Sequence, residues 1–156
     1  MKIEAETLKK QVILHLPYVL FLLVFAKLGE AVRSCGLNAR MLVLEITEHA
    51  RVTNMPLLRE AIDAVHACGA RMALDDFGDG RSSLRLWSEV KPDFVKIDKY
   101  FIADLAEHPE SLQMLRAIKG IAEIFGTQLV AEGIETAEDL RALRDLANEE
   151  TARIQV

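Results

Sequence analysis

The sequence contains few of the residues that mark secreted, redox-active or DNA-binding proteins. Its only two cysteines among 156 residues, Cys35 and Cys68, lack the close spacing of metal-binding or redox pairs. We therefore predict that both are reduced, buried thiols of a cytoplasmic protein. Positive charge is also scarce, since the formal net charge is −5. This charge argues against binding of duplex nucleic acid, which requires a cationic face to neutralise phosphates.

Long hydrophobic runs are absent as well. The most apolar stretch, residues 17–26, has about ten residues, whereas a membrane-spanning helix needs roughly 20. We predict no membrane span and interpret this stretch as the start of a buried helix. Its most apolar part, residues 18–25, is the alternative candidate for a surface that contacts a partner protein.

Hydrophobic residues nevertheless make up 51% of the chain, enough for the core of a single domain over residues 1–156. Short β-type runs alternate with longer segments of helical period, which predicts an α/β fold with a parallel sheet. The five predicted strands cover residues 11–16, 41–47, 71–76, 94–98 and 128–133. The predicted helices cover about 17–35, 54–69, 84–90, 109–125 and 136–146.

Four of the five predicted strands carry ionisable residues at or near their carboxyl ends. These residues are Glu45, Asp75, Asp76, Lys96, Asp98 and Glu132. In parallel α/β folds the carboxyl ends form one rim, where loops converge and active sites are built. Oxygen ligands without thiolates suit Mg²⁺, Mn²⁺ or Ca²⁺. The pattern therefore predicts a shared metal or phosphate site.

Individual residues of this set also allow simpler interpretations. A single glutamate at a strand end can be a solvated rim residue or a helix-cap partner. Lys96, inside an apolar strand, can form an ordinary salt bridge to a neighbouring carboxylate. Alternatively, its ammonium can orient a water or stabilise phosphate charge beside metal ions.

Four segments of the chain stand out as motifs: Leu-Glu-Ile-Thr-Glu at 44–48, Leu-Asp-Asp-Phe-Gly-Asp-Gly-Arg-Ser-Ser-Leu at 74–84, Phe-Val-Lys-Ile-Asp at 94–98 and Val-Ala-Glu-Gly-Ile-Glu-Thr at 130–136. In order and spacing they resemble the motifs of the EAL domains, the phosphodiesterases of the bacterial messenger cyclic di-GMP. The resemblance covers residues 10–146. It implies an incomplete EAL-like domain, with about five strands of a TIM-type (β/α) barrel that normally has eight.

The resemblance also implies a ligand set for Mg²⁺ or Mn²⁺, of which the family uses two ions. Glu45 would bind the first metal, Asp75 would bridge both, and Asp76 and Glu132 would hold the second. The implied reaction is metal-dependent hydrolysis of cyclic di-GMP to linear pGpG.

Further roles are implied for Lys96, which would position the attacking water, and for Glu48, which would support the following loop. That loop would place four residues near the substrate. These residues are Asp79, Gly80, Ser82 and Ser83.

The sequence also departs from the family pattern. The Glu-Ala-Leu segment is absent, Leu14 stands where an asparagine ligand is usual, and the closing strand with its glutamine is missing. Asp79 and Arg81 replace residues that are more often threonine and tyrosine. Two ligands of the first metal are therefore lost, so this chain would hold one ion or none where the family holds two.

Two interpretations of function remain open. The first is a cyclic di-GMP phosphodiesterase segment. The second is a degenerate or truncated EAL module that binds a partner or nucleotide without turnover, and the missing ligands favour it for the isolated chain. Because five βα units cannot close a barrel, we also expect a homo-oligomer or a partner protein that covers the open edges.

Overall fold

The computed structural model describes residues 12–15, 34, 38–47, 52, 54–78, 84–148 and 154–155. Within these ranges, six strands form one sheet in the order of the chain, and every neighbouring pair is parallel. The strands are β1 (Val12–His15), β2 (Leu42–Thr47), β3 (Arg71–Phe77), β4 (Phe94–Ile97), β5 (Gln128–Ala131) and β6 (Ile154–Gln155). The α/β fold class predicted from the sequence is confirmed.

Four α-helices lie in the described ranges and follow β2, β3, β4 and β5. They are α1 (Met55–Ala67), α2 (Leu84–Val90), α3 (Pro109–Phe125) and α4 (Ala137–Asn148). The Asn54 side chain caps α1 by accepting a hydrogen bond from the Leu57 amide at 3.1 Å. Gly126 ends α3 in the left-handed conformation, with φ of 69°. Helix α3 therefore has the bounds that its proline and glycine predict.

Strand β6 is an addition to the five predicted strands. It pairs with β5 through Leu129 and Val130, whereas the strands predicted from the sequence end with β5. Two residues are too few to show a periodic pattern, and the strand forms because the edge of β5 offers unpaired backbone groups. Gln155, to which the sequence analysis assigned no role, lies in this strand beside Val130.

The main core lies between the sheet and the helices, and Trp87 of α2 is at its centre, fully buried. The Trp87 ring meets Phe77 edge-on, with centroids 5.0 Å apart. Its indole nitrogen donates to the Thr127 hydroxyl at 3.1 Å, and that hydroxyl donates to the Pro92 carbonyl at 2.9 Å. These contacts hold a helix of only seven residues, too short to be stable alone.

Helix α4 begins with a cap that Thr136 and Asp139 form through their side chains. The Thr136 hydroxyl accepts from the Asp139 amide at 3.0 Å and donates to the Asp139 carboxylate at 2.6 Å. The same carboxylate accepts from the Ala106 amide at 3.0 Å. The Thr136 hydroxyl and the Ala106 amide together lower the pKa of Asp139. Asp139 therefore joins α4 to the segment before α3.

One cysteine prediction is wrong. Cys68 is a free thiol, but it is exposed rather than buried, because it caps the carboxyl end of α1 outside the packed face of that helix. Cys35 and the apolar stretch 17–26, with its candidate contact surface 18–25, lie outside the described residues. None of the described helices has the length and hydropathy needed to cross a lipid bilayer.

A 3₁₀ turn after β4, Lys99–Phe101, packs against Gly78 after β3 and Gly133 after β5. Gly78, with φ of 111°, faces the Phe101 ring so closely that a side chain at residue 78 would collide with it. Gly133, with φ of 71°, faces Lys99 in the same way. Asp98 caps the turn by accepting from the Tyr100 amide at 2.7 Å. The turn therefore sets the spacing of two strand ends that carry acids.

We predict that Gly78→Ala destabilises the chain by about 2 kcal/mol or more, because alanine disfavours this φ and its methyl group meets Phe101. Gly120→Ala is the matched control, since a methyl group at residue 120 in α3 meets nothing within 4 Å. It should stabilise the chain by about 0.5–1 kcal/mol. Urea unfolding of both variants measures these changes. Equal stability of the two variants would show that Phe101 does not restrict residue 78.

Candidate functional site

The ammonium of Lys96 joins three carboxylates that come from three other strand ends. Its Nζ lies 2.8 Å from Asp75 Oδ1, 3.0 Å from Glu132 Oε1 and 3.3 Å from Glu45 Oε1. Glu45 lies in β2, Asp75 in β3 and Lys96 in β4, while Glu132 directly follows β5. The rim predicted from the sequence thus brings four of its residues together.

The four residues share one face of the sheet because side chains alternate along each strand. Two residues before each of them lies an apolar residue of a small separate cluster. The cluster consists of buried Val43, Ala73 and Phe94, with Val130 packed against them. The main core occupies the opposite face. The charged site therefore lies on a thin apolar layer, on the sheet face that does not pack against the helices.

Burial is uneven across the site. The side chains of Glu45 and Asp75 are 2% and 5% exposed and that of Lys96 is 13% exposed, whereas Glu132 is 42% exposed. Burial by itself lowers the pKa of Lys96, but its hydrogen bonds to Asp75 and Glu132 and the charge of Glu45 outweigh this effect. The net result is a pKa raised above the ordinary value of 10.5. Lys96 is therefore an ammonium at neutral pH.

Asp76, the fourth predicted metal ligand, has an unusual backbone conformation, with φ of 58°. The register between β3 and β4 shifts between Leu74 and Phe77, which marks an irregularity at this point of the sheet. Aspartate tolerates the left-handed region better than most residues. The regular geometry of β3 is therefore interrupted at the adjacent residues Asp75 and Asp76.

The remaining predicted site residues lie outside the described part of the chain, so their roles stay predictions. They are Glu48, Asp79, Gly80, Ser82 and Ser83. Asp98, which the sequence also placed at a strand end, instead caps the turn after β4. The spacing of the aspartate two residues before Tyr100, which is typical of such turns, could have indicated this role.

The donor chemistry of the site fits a hard divalent cation. Three carboxylates against one ammonium leave negative charge in excess, and carboxylate oxygens are the ligands that Mg²⁺, Mn²⁺ and Ca²⁺ prefer. Among the described residues, no three histidine, cysteine, aspartate or glutamate side chains are arranged to hold a metal ion. The cation that the three acids share in this structure is Lys96.

The site lies within a segment that matches the family model described as EAL domain, over residues 22–149. The cyclic di-GMP phosphodiesterase PdeR of Escherichia coli is 31% identical over 116 residues, which is 74% of this chain and 18% of PdeR. The cyclic di-GMP phosphodiesterase NbdA of Pseudomonas aeruginosa is 33% identical over 115 residues, which is 74% of this chain and 15% of NbdA. The chain thus spans less than a fifth of the length of these relatives.

Solved structures show the same fold. Klebsiella pneumoniae BlrP1, in complex with manganese and cyclic di-GMP, superimposes with a TM-score of 0.80 and 25% identity over 97% of this chain and 38% of that one. The same protein has also been solved with calcium and cyclic di-GMP. The chain resembles part of a TIM-type barrel that holds a divalent metal and this nucleotide. With the family match covering most of its length, the chain belongs to the EAL domain family.

Proposed function

We propose that this chain is the catalytic segment of a cyclic di-GMP phosphodiesterase, which opens one phosphodiester bond with one water to give linear pGpG. The observation that carries the proposal is the contact of Lys96 with Glu45, Asp75 and Glu132 at the strand ends of an EAL domain. PdeR and NbdA, which are named for this activity, support it.

We propose Glu45, Asp75, Asp76 and Glu132 as the residues that would hold Mg²⁺ or Mn²⁺. A bound divalent ion supplies Lewis acidity towards phosphate oxygens and lowers the pKa of a water. Glu132 is the most exposed of the acids that contact Lys96, so it marks the side from which substrate reaches the site. The buried Glu45 and Asp75 lie on the side away from solvent.

The raised pKa of Lys96 limits what this residue can do in catalysis. We propose that Lys96 acts as an ammonium rather than as the general base. It can donate hydrogen bonds to a water or neutralise charge on a phosphate. We further propose that Glu48 supports the loop of Asp79, Gly80, Ser82 and Ser83, which faces the substrate.

The purified chain should hydrolyse cyclic di-GMP to pGpG with Mg²⁺ or Mn²⁺, and separation of the nucleotides by chromatography measures the product. We expect this turnover to be lost in EDTA, because the metal supplies the Lewis acidity and lowers the pKa of the attacking water. Asp75→Asn should abolish turnover, since it removes a carboxylate charge that contacts Lys96. Asp63→Asn, on an exposed face of α1, should not change it.

Two other outcomes would contradict the proposal. Binding of cyclic di-GMP without turnover, detected by calorimetry, would favour the degenerate EAL module instead. Turnover that persists in Asp75→Asn would place the chemistry elsewhere in the chain.

The sheet edges support a proposal about assembly. Among the described residues, β1 pairs only with β2 and β6 only with β5, so the sheet ends in two open edges. Open edges present unpaired backbone groups that attract further strands. We propose that a second copy of this chain or a partner protein covers them.

Size-exclusion chromatography with light scattering tests this assembly on the purified chain. We expect a mass at least twice the 17.5 kDa of one chain, decreasing on dilution. A monomer at every concentration would show that the edges are protected within the chain itself.

We also propose a cytoplasmic location for this chain. Cys68 is exposed and free, and oxidising compartments favour disulfide formation by such thiols, whereas the cytosol keeps them reduced. Cyclic di-GMP, as the substrate proposed above, fits a protein that acts in cellular signalling.

A further inference from the structure

We propose that Lys96 is the resident counter-cation of the acidic strand ends, which stabilises them when no divalent metal is bound and competes with the metal for the same oxygens. In this role the lysine stabilises the metal-free chain and weakens metal binding. The inference rests on the proposed function for the identity of the metal and for the residues that would hold it. Its stability component depends on contacts within the chain alone.

The acids that the sheet brings together repel one another. Glu45 and Asp75 are almost fully buried and belong to neighbouring strands. Since both contact the same nitrogen, they are also close to each other, and like charges at such a distance resist joint ionisation. The Lys96 ammonium offsets this repulsion, and Glu132 adds a third contact from the solvent side.

The oxygens that contact the ammonium belong to the residues that we propose as metal ligands. Asp75 Oδ1, Glu45 Oε1 and Glu132 Oε1 each lie within 3.3 Å of Lys96 Nζ. A divalent cation has to share or displace these contacts, so part of its binding free energy is spent on separating existing ion pairs. Removing the ammonium removes the competitor and increases the negative charge that attracts the metal.

Thermal unfolding of the full chain, in EDTA and in millimolar MnCl₂, tests the inference. In EDTA, Lys96→Met should lower the melting temperature by on the order of 10 °C, because it breaks a buried ion-pair cluster. MnCl₂ should recover most of this loss, since a ligand that binds only the folded state stabilises it. Calorimetry should show Mn²⁺ binding at least about tenfold tighter than in the wild type, a difference of roughly 1.4 kcal/mol.

The matched control is Lys119→Met. Lys119 is more deeply buried than Lys96, and its ammonium donates to the Leu146 carbonyl at 2.8 Å, at the carboxyl end of α4. This variant should also melt at lower temperature in EDTA. Mn²⁺ should shift its melting temperature no more than it shifts that of the wild type.

A second variant keeps the inference testable if Lys96→Met does not fold in EDTA. Adding Asp75→Asn removes one of the repelling charges, so the double variant should be more stable than Lys96→Met alone. The inference is overturned if Lys96→Met melts like the wild type in EDTA, if Mn²⁺ shifts both lysine variants equally, or if Asp75→Asn brings no recovery. Absence of cyclic di-GMP hydrolysis would contradict the proposed function but not these results.

Discussion

The contact of one ammonium with three carboxylates is the interaction on which the acidic end of this sheet depends. Lys96 meets Asp75, Glu132 and Glu45 at 2.8–3.3 Å, in a place where two of the acids are buried. Breaking a buried ion pair by removing one partner is costly, because the remaining charge loses its compensation. In our proposals, this site is therefore both the place where a divalent metal would bind and a part of the sheet that Lys96 stabilises.

The fold brings these charges together by simple rules. Parallel strands end at one rim, and the alternation of side chains places Glu45, Asp75 and Lys96 above an apolar layer on one face. The helices cover the other face, so the charged side chains do not compete with the main core. The turn at Lys99–Phe101, packed against two glycines with positive φ, then fixes the spacing of the β3 and β5 ends.

Much of this could be predicted from the sequence, because the apolar runs, the glycines and the prolines of the chain mark its strands and helices locally. The convergence of Glu45, Asp75, Lys96 and Glu132 followed from their positions at strand ends. What could not be predicted depends on tertiary contacts. The short β6 forms only against the edge of β5, and the exposure of Cys68 depends on how α1 packs.

Nitrogen NMR of the lysine side chains tests most directly whether Lys96 keeps its positive charge beside the three carboxylates. Because its folded-state pKa is raised, Lys96 contributes stability that is present below pH 10.5 and is lost only as the pH rises through the higher folded value. We predict that at pH 10.5 the Lys96 nitrogen keeps its ammonium shift, whereas the side chain of free lysine in the same buffer is about half deprotonated. A Lys96 signal that titrates below pH 10.5 would show that burial outweighs the three carboxylates and would contradict the account.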